Sequence, residues 1–396
     1  MKVCRIIGDP FPPKDKILGG LGPNYYYLSK YLTKMGVDIH IIAGGYPRFL
    51  KHEEINGIKI TRVRDKPSIL LRTFSAIPQN ILLNNEIKKI KNFDILHFHN
   101  PQAIWIQKRF FGKIPIVSTI HNSPSWYKVA EYLPWRYFYT RIRDQIRANL
   151  WYFLFKEQVK YSDVVVCVCE AVADEIRTMY RVRNKEKVIA IPNGVELELF
   201  YPRKPVDLHS KFDCDFLLLY FGEFSMRKGL KYLFYALKEL KNKRVKLLTF
   251  GANWKSDYGK YYKKLIEELG IRNQVISLEK IPEKELPKFY SSVDCFVLPS
   301  LSEGLPKVAI EALACECPVI ATAVNGTPEI VIHKKTGLLV PPKDVKKLQE
   351  AIEYAVNNRS KMKKMAREGR KLVVKKYNWE RSAKKYYELY KKLVEI

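Results

Sequence analysis

The chain has 396 residues, with 70 Lys and Arg against 41 Asp and Glu, a formal charge of +29 and 47% hydrophobic residues. That length predicts two domains, and the balance of apolar and charged residues is that of a folded protein rather than a disordered one. No apolar run approaches the ~18 residues of a membrane span, and Arg5 and Asp9 interrupt any signal-peptide core, so a cytoplasmic location is expected.

The first half alternates apolar runs with helical patterns. Val3–Ile7 reads as a buried strand and Asn24–Met35 as a helix ending at Gly36, followed by strands at Val37–Ala43, Lys59–Arg64, Ile95–Phe98, Ile114–Ile120 and Val164–Val168. Val- and Ile-rich runs without alternation are typical of parallel strands covered on both faces. The stretch Trp135–Tyr161 reads as a helix, with Trp135, Phe138, Ile142, Ile146, Leu150 and Phe153 on one stripe and Arg136, Arg143 and Arg147 on another, Lys156 and Lys160 nearby. Such a basic, aromatic helix either lies in an anionic membrane interface or packs on its own domain with a solvated basic face.

Pro192-Asn193-Gly194, followed by Pro202 and Pro205, makes a linker. The pattern then restarts with the strand Phe216–Phe221, the helix Leu230–Leu240 and the strand Val245–Phe250. A helix through Lys260–Leu269 leads to the strand Val275–Leu278. Leu286–Ser292 precedes Cys295–Leu298, and Pro318–Ala321 and Gly337–Val340 close the sheet before a helix over Trp379–Ile396. Two doubly wound α/β domains result, a fold that binds ligands at the carboxyl ends of its strands.

The seven cysteines are expected to be reduced. Cys167 and Cys169 share a strand face, and no His lies at zinc-ligand spacing from them or from Cys315 and Cys317, so no metal site is expected. The positive charge suits nucleic acid, an anionic membrane or phosphorylated substrates. No zinc finger, RNP-type strand or basic zipper accompanies it, so nucleic acid is not an expected partner.

The sharpest signal is Pro299-Ser300-Leu301-Ser302-Glu303-Gly304-Leu305-Pro306-Lys307-Val308-Ala309-Ile310-Glu311. A strand ends at Leu298 and a helix starts near Pro306, so free N–H groups between Leu305 and Val308 form an anion site suited to a diphosphate. Glu303 and Glu311 lie within about 12 Å at ~1.5 Å rise per residue. That is comparable to the span from the hexose to the ribose of a nucleotide sugar.

This stretch resembles the E-x7-E signature of retaining glycosyltransferases of family 4, which have the GT-B fold. The resemblance covers nearly the whole chain. Gly19-Gly20-Leu21-Gly22 resembles the family's glycine loop, Asp94-Ile95-Leu96-His97-Phe98-His99 its D-x-x-H-x-H strand, and Thr119-Ile120-His121-Asn122 its active-site histidine segment. Ile191-Pro192-Asn193-Gly194-Val195 resembles the interdomain turn, Arg227-Lys228-Gly229 the phosphate clamp, and Gly337-Leu338-Leu339-Val340-Pro341 the late G-L-L-V segment.

The resemblance implies two Rossmann-like domains facing across a cleft: an acceptor-side domain over 1–200, a nucleotide-sugar domain over 201–378, and a closing helix over 379–396 returning to the first. It implies transfer of a hexosyl unit from a nucleoside diphosphate sugar to a hydroxyl acceptor, with no metal and no resident cofactor; the +29 charge and the aromatic-basic helix suggest an acceptor, glycan or lipid-linked, presented at the inner membrane face. Lys228 would neutralise the leaving diphosphate, with Arg227 beside it. Glu303 would hold the donor sugar, Glu311 the ribose, and His121 would contact the sugar near the anomeric centre. Leu305, Pro306 and Lys307 would line the diphosphate, and Gly20 would let the backbone approach phosphate or acceptor.

Three residues depart from the family pattern. Glu223 follows Gly222 where many members carry Arg, Glu316 stands at a usual glycine, and Glu279 or Lys280 lies where a glycine is common near the base. A carboxylate beside a diphosphate is repelled unless it turns away or is paired; either Arg227 compensates for Glu223 or the two pair. Two alternatives share the fold: a catalytically silent nucleotide-sugar-binding protein and a nucleotide-sugar epimerase, the latter disfavoured by the E-x7-E pattern.

Overall fold

The computed structural model describes residues 1–11, 21–45, 50–64, 85–90, 92–99, 112–124, 133–242, 244–251, 253–278 and 281–395. They form two compact units. The first comprises Met1–Pro124, Arg143–Asn193 and Trp379–Ile396, and the second Ser125–Ile142 and Gly194–Asn378. The second unit thus takes over at Gly194 rather than after residue 200, and it also claims 125–142.

The first unit holds β1 (Lys2–Pro10), β2 (Asp38–Gly45), β3 (His52–Ile55), β4 (Ile58–Arg64), β5 (Ile95–His99), β6 (Ile116–Ile120), β7 (Val164–Cys167) and β8 (Val188–Ala190). They line up as β3-β4-β2-β1-β5-β6-β7-β8. Every pairing is parallel except β3 with β4, a hairpin turning at Asn56-Gly57. Both turn residues have positive φ, 52° and 76°, which is the backbone such a tight hairpin requires. β5 and β6 are buried along their whole length, which explains their unbroken apolar character. The strand order reverses between β1 and β5, so the switch point of this sheet lies beside the end of β5, at His99.

The helix Trp379–Val394 completes this unit. Trp379, Ala383, Tyr386 and Tyr390 are buried at helical spacing, and the Trp379 ring stacks on Tyr27, centroids 6.3 Å apart. Tyr390 and Tyr386 carry hydroxyls into the core, where they meet His97 Nδ1 at 2.6 Å and Thr119 Oγ1 at 2.8 Å.

The second unit holds β9 (Phe216–Phe221), β10 (Val245–Phe250), β11 (Val275–Ser277), β12 (Cys295–Leu298), β13 (Val319–Thr322) and β14 (Leu338–Val340), ordered β11-β10-β9-β12-β13-β14 and parallel throughout. Its order reverses between β9 and β12, and the chain leaves those strands at Gly222 and Pro299. Both sheets therefore put their switch points where the sequence carries its polar motifs.

The helix Phe138–Tyr161 buries Leu154, Phe155, Gln158 and Val159. These are not the expected aromatic stripe, none of whose six residues is buried. Trp135 is 63% exposed, Phe138 49% and Phe153 49%, with Tyr139 at 88% beside them. Among the described residues, no helix is long and apolar enough to cross a membrane. All seven cysteines are buried free thiols, and burial pushes those of Cys167 and Cys317 well above the usual range, the behaviour of small core hydrophobes.

Candidate active site

In the second unit the site begins with a glycine. Gly229 has φ +63°, and a Cβ there would lie 2.0 Å from the Pro299 carbonyl oxygen, so no other residue fits. That close approach seats the 3-10 turn Met226–Lys228 on the loop after β12, sealed by the Leu301 N–H donating to the Arg227 carbonyl at 2.7 Å. Arg227 and Lys228 are thereby brought to Glu303.

The Lys228 ammonium is 2.7 Å from Glu303 Oε1, and the Ser300 hydroxyl donates to the same oxygen at 2.6 Å. Arg227 lies 3.6 Å from Oε2 and donates to the Ser302 carbonyl at 2.9 Å. Burial would raise the Glu303 carboxyl, but the two cations, with hydrogen bonds from Lys228 and Ser300, outweigh it and hold it below its usual range. Glu223 turns outward, its side chain 63% exposed, and pairs with Arg227 at 3.1 Å. The departure at Glu223 is thus neutralised by the arginine four residues on.

The helix Lys307–Ala314 follows. Pro306 caps it in an extended conformation, φ −71° and ψ 99°, and its carbonyl accepts from Ala309 at 3.1 Å. Having no N–H, Pro306 contributes no donor itself, whereas Lys307 and Val308 keep the unbonded N–H groups of a first helical turn. Leu305 is buried beneath that end. Glu311, one turn along, is 2.9 Å from the Lys307 ammonium and accepts from the Tyr290 hydroxyl at 3.3 Å. Lys307 also lies 3.4 Å from Glu283, whose carboxyl burial pushes up despite that lysine. The second unit therefore presents two buried carboxylates, Glu303 and Glu311, each held by a lysine.

In the first unit, His121 follows β6 and is 6% exposed. Its Nε2 lies 3.1 Å from His99 Nδ1, with the rings stacked at 19°. The fully buried Arg5 guanidinium donates to His99 Nε2 at 2.7 Å and to the Tyr25 carbonyl at 2.8 Å, and it also bonds the Ser29 hydroxyl. Burial, then the Arg5 cation, lower His121 to about 3, and His99 is likewise held well below the imidazole range. Both rings are neutral at physiological pH. His97 points to the same face as His99, ring centroids 4.1 Å apart, but spends both nitrogens on Tyr390 and Thr119. It is a core histidine.

The structure brings Arg227, Lys228 and Glu303 together, and separately Lys307 and Glu311; Gly20, Glu279 and Lys280 lie outside the described residues. Glu316 occupies a backbone with φ +56°, the left-handed conformation in which a glycine is the easy choice, and it reaches Arg367 and Arg370 at 3.9 Å. Ser300, Tyr290, Glu283 and Arg5 belong to these clusters without having been singled out from sequence. For Arg5 a signal existed: a lone cation inside a central apolar strand must have buried partners.

The family model described as Glycosyltransferase Family 4 matches residues 18–199, and that described as Glycosyl transferases group 1 matches residues 208–372. An uncharacterised glycosyltransferase of Methanocaldococcus jannaschii is 31% identical over 383 residues, covering 95% of each chain. Sucrose-phosphate synthase from Thermosynechococcus elongatus superposes with a TM-score of 0.83 at 24% identity, over 99% of both chains. HepE of Anabaena, solved in complex with UDP-glucose, superposes with a TM-score of 0.70 at 17% identity, over 98% of this chain and 99% of its own. With its two parallel α/β units and these matches along its length, the chain belongs to the GT-B-fold glycosyltransferases of the group 1 and family 4 type.

Proposed function

We propose that this glycosyltransferase moves a hexosyl unit from a nucleoside diphosphate sugar to a hydroxyl acceptor, with retention at the anomeric carbon and without a divalent metal or resident cofactor. The observation that carries this reading is the buried Lys228–Glu303 pair, backed by Arg227, at the switch point of the second sheet. A diphosphate developing charge as it leaves needs preorganised positive groups, and each such donor contributes on the order of a hundredfold in rate. Lys228, Arg227 and the N–H groups of Lys307 and Val308 supply them, with Leu305 and Pro306 shaping the helix entrance.

In this mechanism the diphosphate takes over Lys228, and Glu303 turns to the sugar hydroxyls. Glu311, held by Lys307 and Tyr290, accepts from the ribose. His121 contacts the sugar near the anomeric carbon, and Gly20 lets the backbone approach phosphate or acceptor. UDP-glucose is the ligand of HepE; for this chain it is the first donor to try.

The exposed Trp135, Phe138 and Tyr139, close to Arg143, support a lipid-linked acceptor or a glycan presented at an anionic surface. On this reading the protein works in the cytoplasm, peripheral at the inner membrane face.

The test is incubation with a panel of labelled nucleotide sugars, with and without lipid acceptors, followed by assignment of product stereochemistry. An α-configured sugar must give an α-linked product. Inversion would sink the retaining mechanism. Tight donor binding without turnover would make the protein a silent binder, and a changed sugar still attached to its nucleotide would make it an epimerase.

A further inference from the structure

The first unit contains a chain of directed hydrogen bonds whose end is unused. Arginine is only a donor, so the two contacts from Arg5 to His99, at 3.2 Å from Nε and 2.7 Å from the terminal nitrogen, oblige His99 Nε2 to accept. A neutral His99 then carries its proton on Nδ1. That nitrogen faces His121 Nε2 at 3.1 Å, which must accept in turn. The His121 proton is left on Nδ1, an atom that is buried and has no hydrogen-bond partner among the described residues.

The origin of the chain is held firmly. Arg5 directs its other terminal nitrogen to the Tyr25 carbonyl and the Ser29 hydroxyl, and Ser29 is itself tied to the Tyr25 carbonyl at 2.8 Å. The Tyr25 ring packs edge-on against both imidazoles, centroids 5.0 and 5.6 Å away, so neither ring is free to flip without moving it. A buried N–H without an acceptor costs about 1–3 kcal/mol. Such a group persists at a functional site when a ligand supplies the acceptor.

We infer that Arg5 and His99 are positioning residues that fix His121 as its Nδ1–H tautomer, so that the ring offers the substrate sugar a hydrogen-bond donor and does not act as a base. The inference rests on the proposed placement of His121 at the sugar and deepens it. A ring presenting an unprotonated nitrogen would equally well serve a sugar hydroxyl as acceptor or remove a proton from the incoming nucleophile. The relay removes both options. What His121 recognises is then an oxygen acting as acceptor, a sugar hydroxyl or a ring or glycosidic oxygen.

The test is a long-range proton–nitrogen correlation spectrum of the full-length protein with nitrogen-15 histidine at neutral pH, the His121 signal being the one lost in His121→Gln. The expected spectrum shows His121 neutral and protonated at Nδ1. Arg5→Met should shift the His121 proton toward Nε2 and lower kcat by about tenfold or more, the effect typical of losing the partner that orients a functional histidine, with a smaller change in donor KM. Arg5→Lys, which keeps a donor, should recover much of both. If Arg5→Met does not fold, the wild-type spectrum still decides: a proton on Nε2 of His121 overturns the relay. If the tautomer is as inferred and His121→Gln turns over at the wild-type rate, the placement of His121 at the sugar fails while the relay stands.

Discussion

Lys228 and Glu303 are each other's counter-ions, 2.7 Å apart with side chains 15% and 8% exposed. Donor binding has to exchange that pair for one ion–diphosphate contact and one carboxylate–hydroxyl contact. Lys228→Ala and Glu303→Ala should each lower kcat by about a hundredfold or more. They should differ in binding: the lysine variant loses affinity for the free nucleoside diphosphate, the glutamate variant does not. Since Arg227 and Ser300 still satisfy Glu303, Lys228→Ala should cost only about 1–3 kcal/mol in stability. Calorimetric binding and denaturant melts check both halves, and wild-type rates for both variants with the true donor would move the site elsewhere.

In the proposed mechanism Arg227, Lys228 and the helix end supply the positive charge at the diphosphate, so transfer should survive excess chelator. Loss of activity that magnesium or manganese restores would overturn the metal-free mechanism.

Gly229→Ala should damage the site more than its size suggests. The new Cβ meets the Pro299 carbonyl and the backbone is left-handed, so the turn carrying Arg227 and Lys228 must move. A shift of about 1 Å at a positioned group costs on the order of a hundredfold in rate. Turnover should fall steeply while circular dichroism stays native; unchanged kinetics would mean that the clamp does not depend on this seat.

Stability should fall as the solution is acidified below the ordinary imidazole pKa of ~6.5. His97, His99 and His121 are all lowered, chiefly by burial, His121 to about 3. Between the folded and unfolded values the unfolded chain binds more protons, so the stability each neutral ring contributes is full above ~6.5 and is lost as pH drops toward the folded value, by up to about 1.4 kcal/mol per pH unit per group. Denaturant midpoints between neutral pH and pH ~4.5 should show this slope, and His121→Gln should flatten it. An equal slope in that variant would assign the effect to other groups.

Membrane contact should show both a salt-sensitive and a salt-resistant part. Exposed Lys and Arg near an anionic surface contribute about 1 kcal/mol each at most, screened within a Debye length, whereas Trp135 and Phe138 add an apolar share. Reversing the charge at Arg143 should reduce sedimentation with anionic vesicles and slow transfer to a lipid acceptor, leaving donor hydrolysis unchanged; Arg147, its sequence partner in this expectation, has a side chain outside the described ones. No sedimentation at low salt would end the membrane reading.

The central strands were legible because burial on both faces leaves an unmistakable apolar run. β3 and β8 were not: His52-Glu53-Glu54-Ile55 lies at an edge with mostly polar side chains, and β8 spans only Val188–Ala190. The Asn56-Gly57 turn was the available clue to the hairpin. The motif residues around Glu303 were legible because a glycine, a proline and two carboxylates at fixed spacing are a narrow pattern. Tyr290 and Glu283 were hidden because each enters its cluster from a separate helix or turn, and only the packed fold reveals which polar group meets which; Ser300 stood inside the motif, but the aim of its hydroxyl at Glu303 did not show. Arg5 is the instructive case. Its charge was visible, but its role depends on the direction of hydrogen bonds across strands distant in sequence.

The helix Trp379–Val394 belongs to the first unit although it follows the whole of Gly194–Asn378 in sequence. During synthesis β1 to β8 emerge early, yet Tyr27, His97 and Thr119 wait for Trp379, Tyr390 and Tyr386 until Gly194–Asn378 has been made. The second unit, Gly194–Asn378 with its own sheet, is complete before then. The order of maturation is therefore the reverse of the order of translation. A chain ending near residue 378 would carry a first unit still lacking the wall of its core.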